Sequence, residues 1–169
     1  MEKAIGSKVN LKNLDDTLAI EFMSCISDIY YNEKIQKLNK YEQHCHTSRL
    51  QHSINVAYYS FIICKFLGWD FRSAARAGLM HDMFYYDWRT KNTARKRNHA
   101  AWHPRVAYDN ARKITNVNDI EKDAIIKHMW PCTFALPKYK ESYVVTFVDK
   151  TCAVFEAVGN TINRLINKK

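Results

Sequence analysis

Apolar positions recur along this chain at intervals of three and four residues, the spacing that lines one face of an α-helix. Asp15 and Asp16 precede such a run, Leu18, Phe22, Ile26, Ile29 and Tyr30. Their carboxylates can accept from the free N–H groups of a first turn, which predicts a helix over about 15–38. Thr47 or Ser48 is placed to cap a second helix carrying His52, Val56, Tyr59 and Ile63 on one face, with Gly68 as its C-terminal stop. Asp70 opens a third, where Ala74, Ala75 and Gly78 are small enough to let another helix come close. Its inward face runs directly into His81 and, beside it, Asp82.

Periodicity is lost and charge rises from Phe84 to Trp102, which predicts a long loop beside that pair. His103-Pro104 predicts the start of a fourth helix through Val106, Ala107, Asn110 and Ile114, because proline is tolerated in a first turn. Asn118 or Asp119 caps a fifth, in which Ile120, Ala124, Ile125 and His128 share a face before Trp130-Pro131 ends it. The segment Glu141 to Val158 is rich in strand formers. Its apolar positions Val145, Val148, Cys152, Phe155 and Ala157 run past strand length without strict alternation, so it too is read as a helix, with Asp149 embedded in it. The expectation is an all-α fold, one helical bundle over 1–169, its core at about 44–158 with the first helix packed upon it.

Composition fits that picture. A chain of 169 residues that is 47% hydrophobic, with 4 Gly and 3 Pro, can bury a core unaided and does not read as disordered or turn-rich. The cysteines, Cys25, Cys45, Cys64, Cys132 and Cys152, form no CxxC pair and are odd in number, which points to reduced thiols and a cytoplasmic location. No signal peptide or membrane span is legible. The net charge of +9 favours anionic partners, and much of the excess lies in Arg89, Lys91, Arg95, Lys96 and Arg97 and in the stretch 164–169.

The chemistry-bearing residues are His52, His81, Asp82, His103, His128 and Asp149, on or next to different predicted helices except for the adjacent pair. Imidazoles and carboxylates gathered from facing helices can hold a divalent cation, and a cation would compensate a carboxylate at a buried helix end. This donor set suits iron, manganese, zinc, cobalt or nickel, with magnesium as an alternative, and lacks the thiolate cluster of a structural zinc site. Each histidine alone also has a bland reading as a packed core residue; their joint order argues otherwise. His44-Cys45-His46 has ligands too close in sequence to converge on a helix.

That order resembles the HD-domain superfamily of metal-dependent phosphohydrolases. The resemblance rests on Arg49-Leu-Gln-His52, Leu79-Met-His81-Asp82, His103-Pro104, Lys127-His128 and Thr146-Phe-Val-Asp149, and covers roughly Arg49 to Val158. It implies that His52, His81, Asp82 and Asp149 bind one metal. It further implies that His103 and His128 add a second, with Asp82 bridging and serving catalysis. Many relatives follow the His-Asp pair with Gly-Lys, whereas this chain reads Met83-Phe84-Tyr85-Tyr86, so no lysine role transfers there.

Arg49, one turn before His52, is expected to reach a phosphate beside the metals, with Arg89, Lys91 and Arg95 gathering the anion from outside. Asp87 and His99 are candidates for proton transfer. The expected activity is hydrolysis of a phosphate ester of a nucleotide or other small phosphorylated metabolite. A non-catalytic nucleotide- or nucleic-acid-binding module, a nucleic-acid phosphodiesterase and a di-iron oxygenase are the competing readings.

Overall fold

The computed structural model describes residues 3–7, 9–11, 13, 15–44, 47–89 and 99–166. Its elements are α1 (Thr17–Tyr30), a short α2 (Glu33–Gln36) running into a 3₁₀ turn at Lys37–Lys40, and a two-stranded antiparallel hairpin of β1 (Glu42–His44) and β2 (Thr47–Ser48). Then follow α3 (Arg49–Phe66), α4 (Phe71–Met80), α5 (His99–Ala111), α6 (Asp119–Lys127) and α7 (Lys140–Ile166). No helix among the described residues is long and apolar enough to cross a membrane.

The capping residues act at the expected places. Asp16 accepts from the N–H groups of Leu18 and Ala19, Ser48 from Gln51, and Asp70 from Ser73. Asn118 and Glu121 exchange hydrogen bonds as a capping box. Gly68, at φ 66°, ends α3 in a Schellman motif, with Gly68 N–H donating to Lys65 O and Trp69 N–H to Cys64 O.

Three expectations are corrected. The first predicted helix is broken after Tyr30, because Asn32 turns its side chain to cap Lys34 N–H and starts a separate turn. The fourth helix starts at His99 instead of His103, which puts Pro104 inside it and shortens the expected loop. The hairpin carries no alternating apolar signal in its 3- and 2-residue strands and was not foreseen.

α3 and α4 form the central pair. Gly78 makes their crossing possible: a Cβ there would lie 2.7 Å from Ala57 Cα and 2.8 Å from Ala57 N. On one side, Phe22, Ile26 and Ile29 of α1 pack with Leu50, Ile54, Phe61, Ala75 and Leu79. On the other, Val56, Cys64, Ala74 and Ala77 meet Ala124 of α6 and Val144, Val145, Val148 and Cys152 of α7. Arg76 pins α4 to its neighbours by donating to Glu121 of α6 at 2.6 Å and to Asp28 of α1 at 2.6 and 2.7 Å. Enclosed on both sides, α3 shows no single apolar stripe, as a central helix should not.

Candidate metal centre

The six suspected ligands converge at one end of the central pair. His52 comes from α3, His81 and Asp82 from the residues just past α4, His103 from α5, His128 from just past α6, and Asp149 from α7. All are buried, with Asp149 the most exposed at 9%. His52 Nε2 lies 3.0 Å from Asp149 Oδ1, and His81 Nε2 lies 3.5 Å from the same oxygen and 3.7 Å from Asp82 Oδ2. The other Asp82 oxygen, Oδ1, is 3.2 Å from His103 Nε2 and 3.7 Å from His128 Nε2, and those two nitrogens are 2.8 Å apart.

Hydrogen bonds at the far side of each ring decide which nitrogen faces inward. The Nδ1–H of His81 donates to Gly78 O at 2.8 Å, that of His128 to Ile125 O at 2.9 Å, and that of His103 to His99 O at 2.9 Å. Gly78 and Ile125 lie in the last turns of α4 and α6, where helix carbonyls lack intrahelical partners, so a histidine just past a helix end finds its orienting acceptor ready. With Nδ1 protonated, each Nε2 presents a bare lone pair to the centre. The 2.8 Å contact between His103 and His128 thus sets two lone pairs face to face. Among the described residues, His81 Nε2 and Asp82 Oδ1 have no hydrogen-bond partner although both are buried.

These features fit a divalent ion. Metal–nitrogen bonds of about 2.1 Å place neighbouring ligand atoms about 3.0 to 3.4 Å apart in octahedral or tetrahedral arrangements. Among the described residues, two groups of donor atoms could each hold an ion, His52 with His81 and Asp149, and His81 with Asp82 and His128. Asp82 turns one oxygen toward each.

For the two carboxylates and His128 the electrostatics agree, whereas His52 and His81 are drawn toward protonation. Burial alone would raise both carboxyls, but His81, His103 and His128 around Asp82, and His52 and His81 against Asp149, outweigh it and hold both well below the usual carboxylate range. Burial, reinforced by the neighbouring His103 and His81, pushes His128 down to about 3 and keeps it the neutral ring that a metal requires. For His52 burial works downward, but Asp149 and Glu156 prevail and raise it to about 10.

A supporting layer was not foreseen from the sequence. Glu156, fully buried, accepts from His52 Nδ1 at 3.1 Å, completing a carboxylate–histidine arrangement behind the ligand. It follows Asp149 by seven residues, two helical turns on the same face, and that spacing was the available signal. Gln43 of β1 donates to Asp82 Oδ2, and no sequence pattern marks it. Lys150 reaches back to donate to His128 O at 2.7 Å.

Arg49 is not where the sequence placed it. Its side chain is fully buried, its Nε donates to Gln43 Oε1 at 2.7 Å and its Nη1 to Phe84 O at 2.6 Å, and its guanidinium lies 3.6 Å from the centre of the Phe84 ring. Burial lowers it to about 10 against the opposing pull of Asp82. The guanidinium therefore braces Gln43, and through it Asp82, in place of the expected phosphate contact. Arg89 is similarly committed, to Glu42 at 3.2 Å and Gln43 O at 3.1 Å. Lys91, Arg95, Lys96 and Arg97 lie outside the described residues, as do Cys45 and His46. Asp87 accepts from Arg89 N–H in a local turn.

A cleft of about 280 Å³ opens on Asp82, His103, His128 and Asp149. Its outer wall includes Gln43, Trp88, His99, Met129, Cys132 and Lys150. Trp88, His99 and His103 stack in sequence, with centroids 5.7 and 4.4 Å apart.

A family model described as HD domain matches residues 49–153. No curated protein and no solved structure matches the chain.

Proposed function

The chain belongs to the HD-domain family, and on that premise we propose that it is a metal-dependent phosphohydrolase acting on a nucleotide or another small phosphorylated metabolite. The observation that carries this reading is the convergence of bare imidazole nitrogens and two carboxylates, with His81 Nε2 and Asp82 Oδ1 left without hydrogen-bond partners among the described residues, at the floor of a cleft. His52, His81, Asp82 and Asp149 would hold one ion, and His103 and His128 with Asp82 would hold a second. Iron or manganese is the favoured occupant, and these imidazole and carboxylate donors would also accept zinc, cobalt or nickel.

Such a pair, when bound, supplies an activated water and neutralises charge on phosphoryl oxygens. The protein's own residues do the rest. Gln43, held by Arg49, fixes the Asp82 carboxylate so that its two oxygens diverge. Lys150 spends two of its three N–H donors on His128 O and, at 3.4 Å, Thr146 O. The ammonium also lies 3.8 Å from Asp149 Oδ2 at the cleft that it lines, where a phosphate oxygen would compete for its third N–H. Trp88 and His99 offer a flat wall to the rest of the ester. A cleft of about 280 Å³ suits one small ester better than a polymer strand.

The test pairs elemental analysis with turnover of 4-nitrophenyl phosphate and a panel of nucleoside monophosphates. Wild-type protein should carry about two equivalents of metal and turn over at least one ester. Asp82→Asn should retain one ion or none and lose turnover. Undiminished turnover in that variant would remove the mechanism, and absence of metal under every loading condition would favour a non-catalytic module.

A further inference from the structure

Residues 3–7 form a strap across the outer side of α3. Ala4 is buried in the core, Gln51 donates to Lys3 O at 3.2 Å, and Tyr59 donates to Ile5 O. The strap closes a turn in which Ser7 N–H donates to Ala4 O at 3.0 Å and Gly6 takes φ 73°, as the third position of a type II turn requires. The Ile5 N–H points inward and donates to Asn55 Oδ1 at 3.0 Å.

Asn55 is fully buried, and its partners leave no choice about which way its amide faces. Oδ1 receives Ile5 N–H and, at 2.8 Å, Gln51 Nε2, while Nδ2 donates to Glu156 Oε1 at 2.8 Å. Glu156 accepts from His52 Nδ1, and His52 Nε2 faces Asp149. An unbroken hydrogen-bonded line thus runs from the strap's backbone to the inner nitrogen of one candidate ligand. It touches only the His52 side of the centre. His103 and His128 are oriented by backbone carbonyls of their own helices.

We infer that the strap is a positioning device for the metal centre: Ile5 N–H holds Asn55 toward Glu156, and Glu156 holds His52 for the ion it shares with His81 and Asp149. This rests on the metal-site reading above. A mispositioned imidazole loses affinity because ligand distances tolerate only about 0.2 Å. Removing the N–H should therefore weaken one ion and spare the other, a selectivity that a general loss of stability would not produce.

Ile5→Pro isolates the interaction. Proline suits the second position of this turn, so it deletes the donor while keeping the turn, and Ile5→Ala keeps the donor while trimming the side chain. Titration of the metal-free full-length protein with Mn²⁺, followed by calorimetry, should show wild type and Ile5→Ala binding two ions alike. Ile5→Pro should bind one of the two ions, that held by His52, up to roughly tenfold less tightly, and Asn55→Ala roughly ten- to a hundredfold, in the range of outer-layer partners of metal ligands. Affinity for the other ion should be unchanged in both. Two ions bound equally well by wild type, Ile5→Pro and Asn55→Ala would overturn the inference while leaving the metal site standing. Failure of wild type to bind any ion would overturn both. By reciprocity, metal should also slow hydrogen exchange at the Ile5 amide, and exchange unaffected by metal would count against the link.

Discussion

Replacing Gly78 by Ala adds one methyl group at the crossing of α3 and α4. The new Cβ would stand 2.7 Å from Ala57 Cα, 2.8 Å from Ala57 N and 3.0 Å from Val56 C, all backbone atoms that no rotamer change can move. Ordinary carbon contacts sit at about 3.5 to 4.0 Å, so the two helices must part or tilt by about 1 Å. Overpacking costs about 1–3 kcal/mol where side chains can yield, and the upper end or beyond applies where only backbone meets the intruder. Alanine's better helix propensity returns about 1 kcal/mol. The expected net loss is about 2 kcal/mol, a fall in Tm of roughly 4–8 °C for a chain of this size. Because α3 carries His52 and α4 leads into His81 and Asp82, the same displacement exceeds ligand tolerance and should lower metal retention. Urea denaturation of the chelated protein gives the stability, and elemental analysis of the reloaded protein gives the second effect. A Gly78→Ala protein as stable as wild type would show that the helices do not cross at this distance, and the positions inferred for three ligands would go with it.

Two further substitutions separate bracing from substrate capture. Arg49→Met keeps the length of the side chain but strands Gln43 Oε1 and Phe84 O without their donor. It should destabilise the protein by about 3–5 kcal/mol and reduce metal retention, while the KM of whatever metal-loaded enzyme remains stays close to wild type. An intact fold with a greatly raised KM would restore the direct phosphate role. Lys150→Ala should do the opposite, leaving metal content unchanged while KM for a phosphate ester rises roughly 10- to 100-fold, as loss of a charge-assisted hydrogen bond predicts. An unchanged kcat/KM would release Lys150 from the site.

Why the candidate ligands could be picked out of the sequence and their supports could not follows from where each sits. His52, His128 and Asp149 interrupt apolar stripes, and His81-Asp82 follows one, so a polar residue facing the core announces itself by position alone. The small residues around Gly78 likewise state their purpose, since a helix face without bulk has nothing to bury except another helix. Arg49 misled because a charged residue in a first helical turn is normally at the surface. α3 is enclosed from both sides and its first turn lies under the hairpin, which is too short to leave a period in the sequence. Gln43 was hidden with that hairpin. Lys150 adjoins Asp149 and by helical geometry should point some 100° away, but its four-carbon stem carries the ammonium back to His128 O. That α5 starts at His99 was hidden because proline normally marks a helix start, whereas here the first turn forms before Pro104.

The charge distribution gives these parts one rationale. Although the chain carries a net charge of +9, its centre collects Asp82, Asp149 and Glu156 in burial and receives the C-terminal ends of α4 and α6, which carry partial negative charge. Nearby cations are Lys150 at the cleft and Arg49 behind Gln43. Without ions, the balance falls to the histidines: His52 and His81 are both pushed toward the protonated form, their carboxylate neighbours prevailing over burial. Coordination, which needs the neutral rings, would compete with that protonation. On the proposed reading, binding divalent ions would displace those protons and raise the positive charge at the cleft floor. Lys150 is a cation lining the cleft, and on that reading bound metal would add to its attraction for a phosphate.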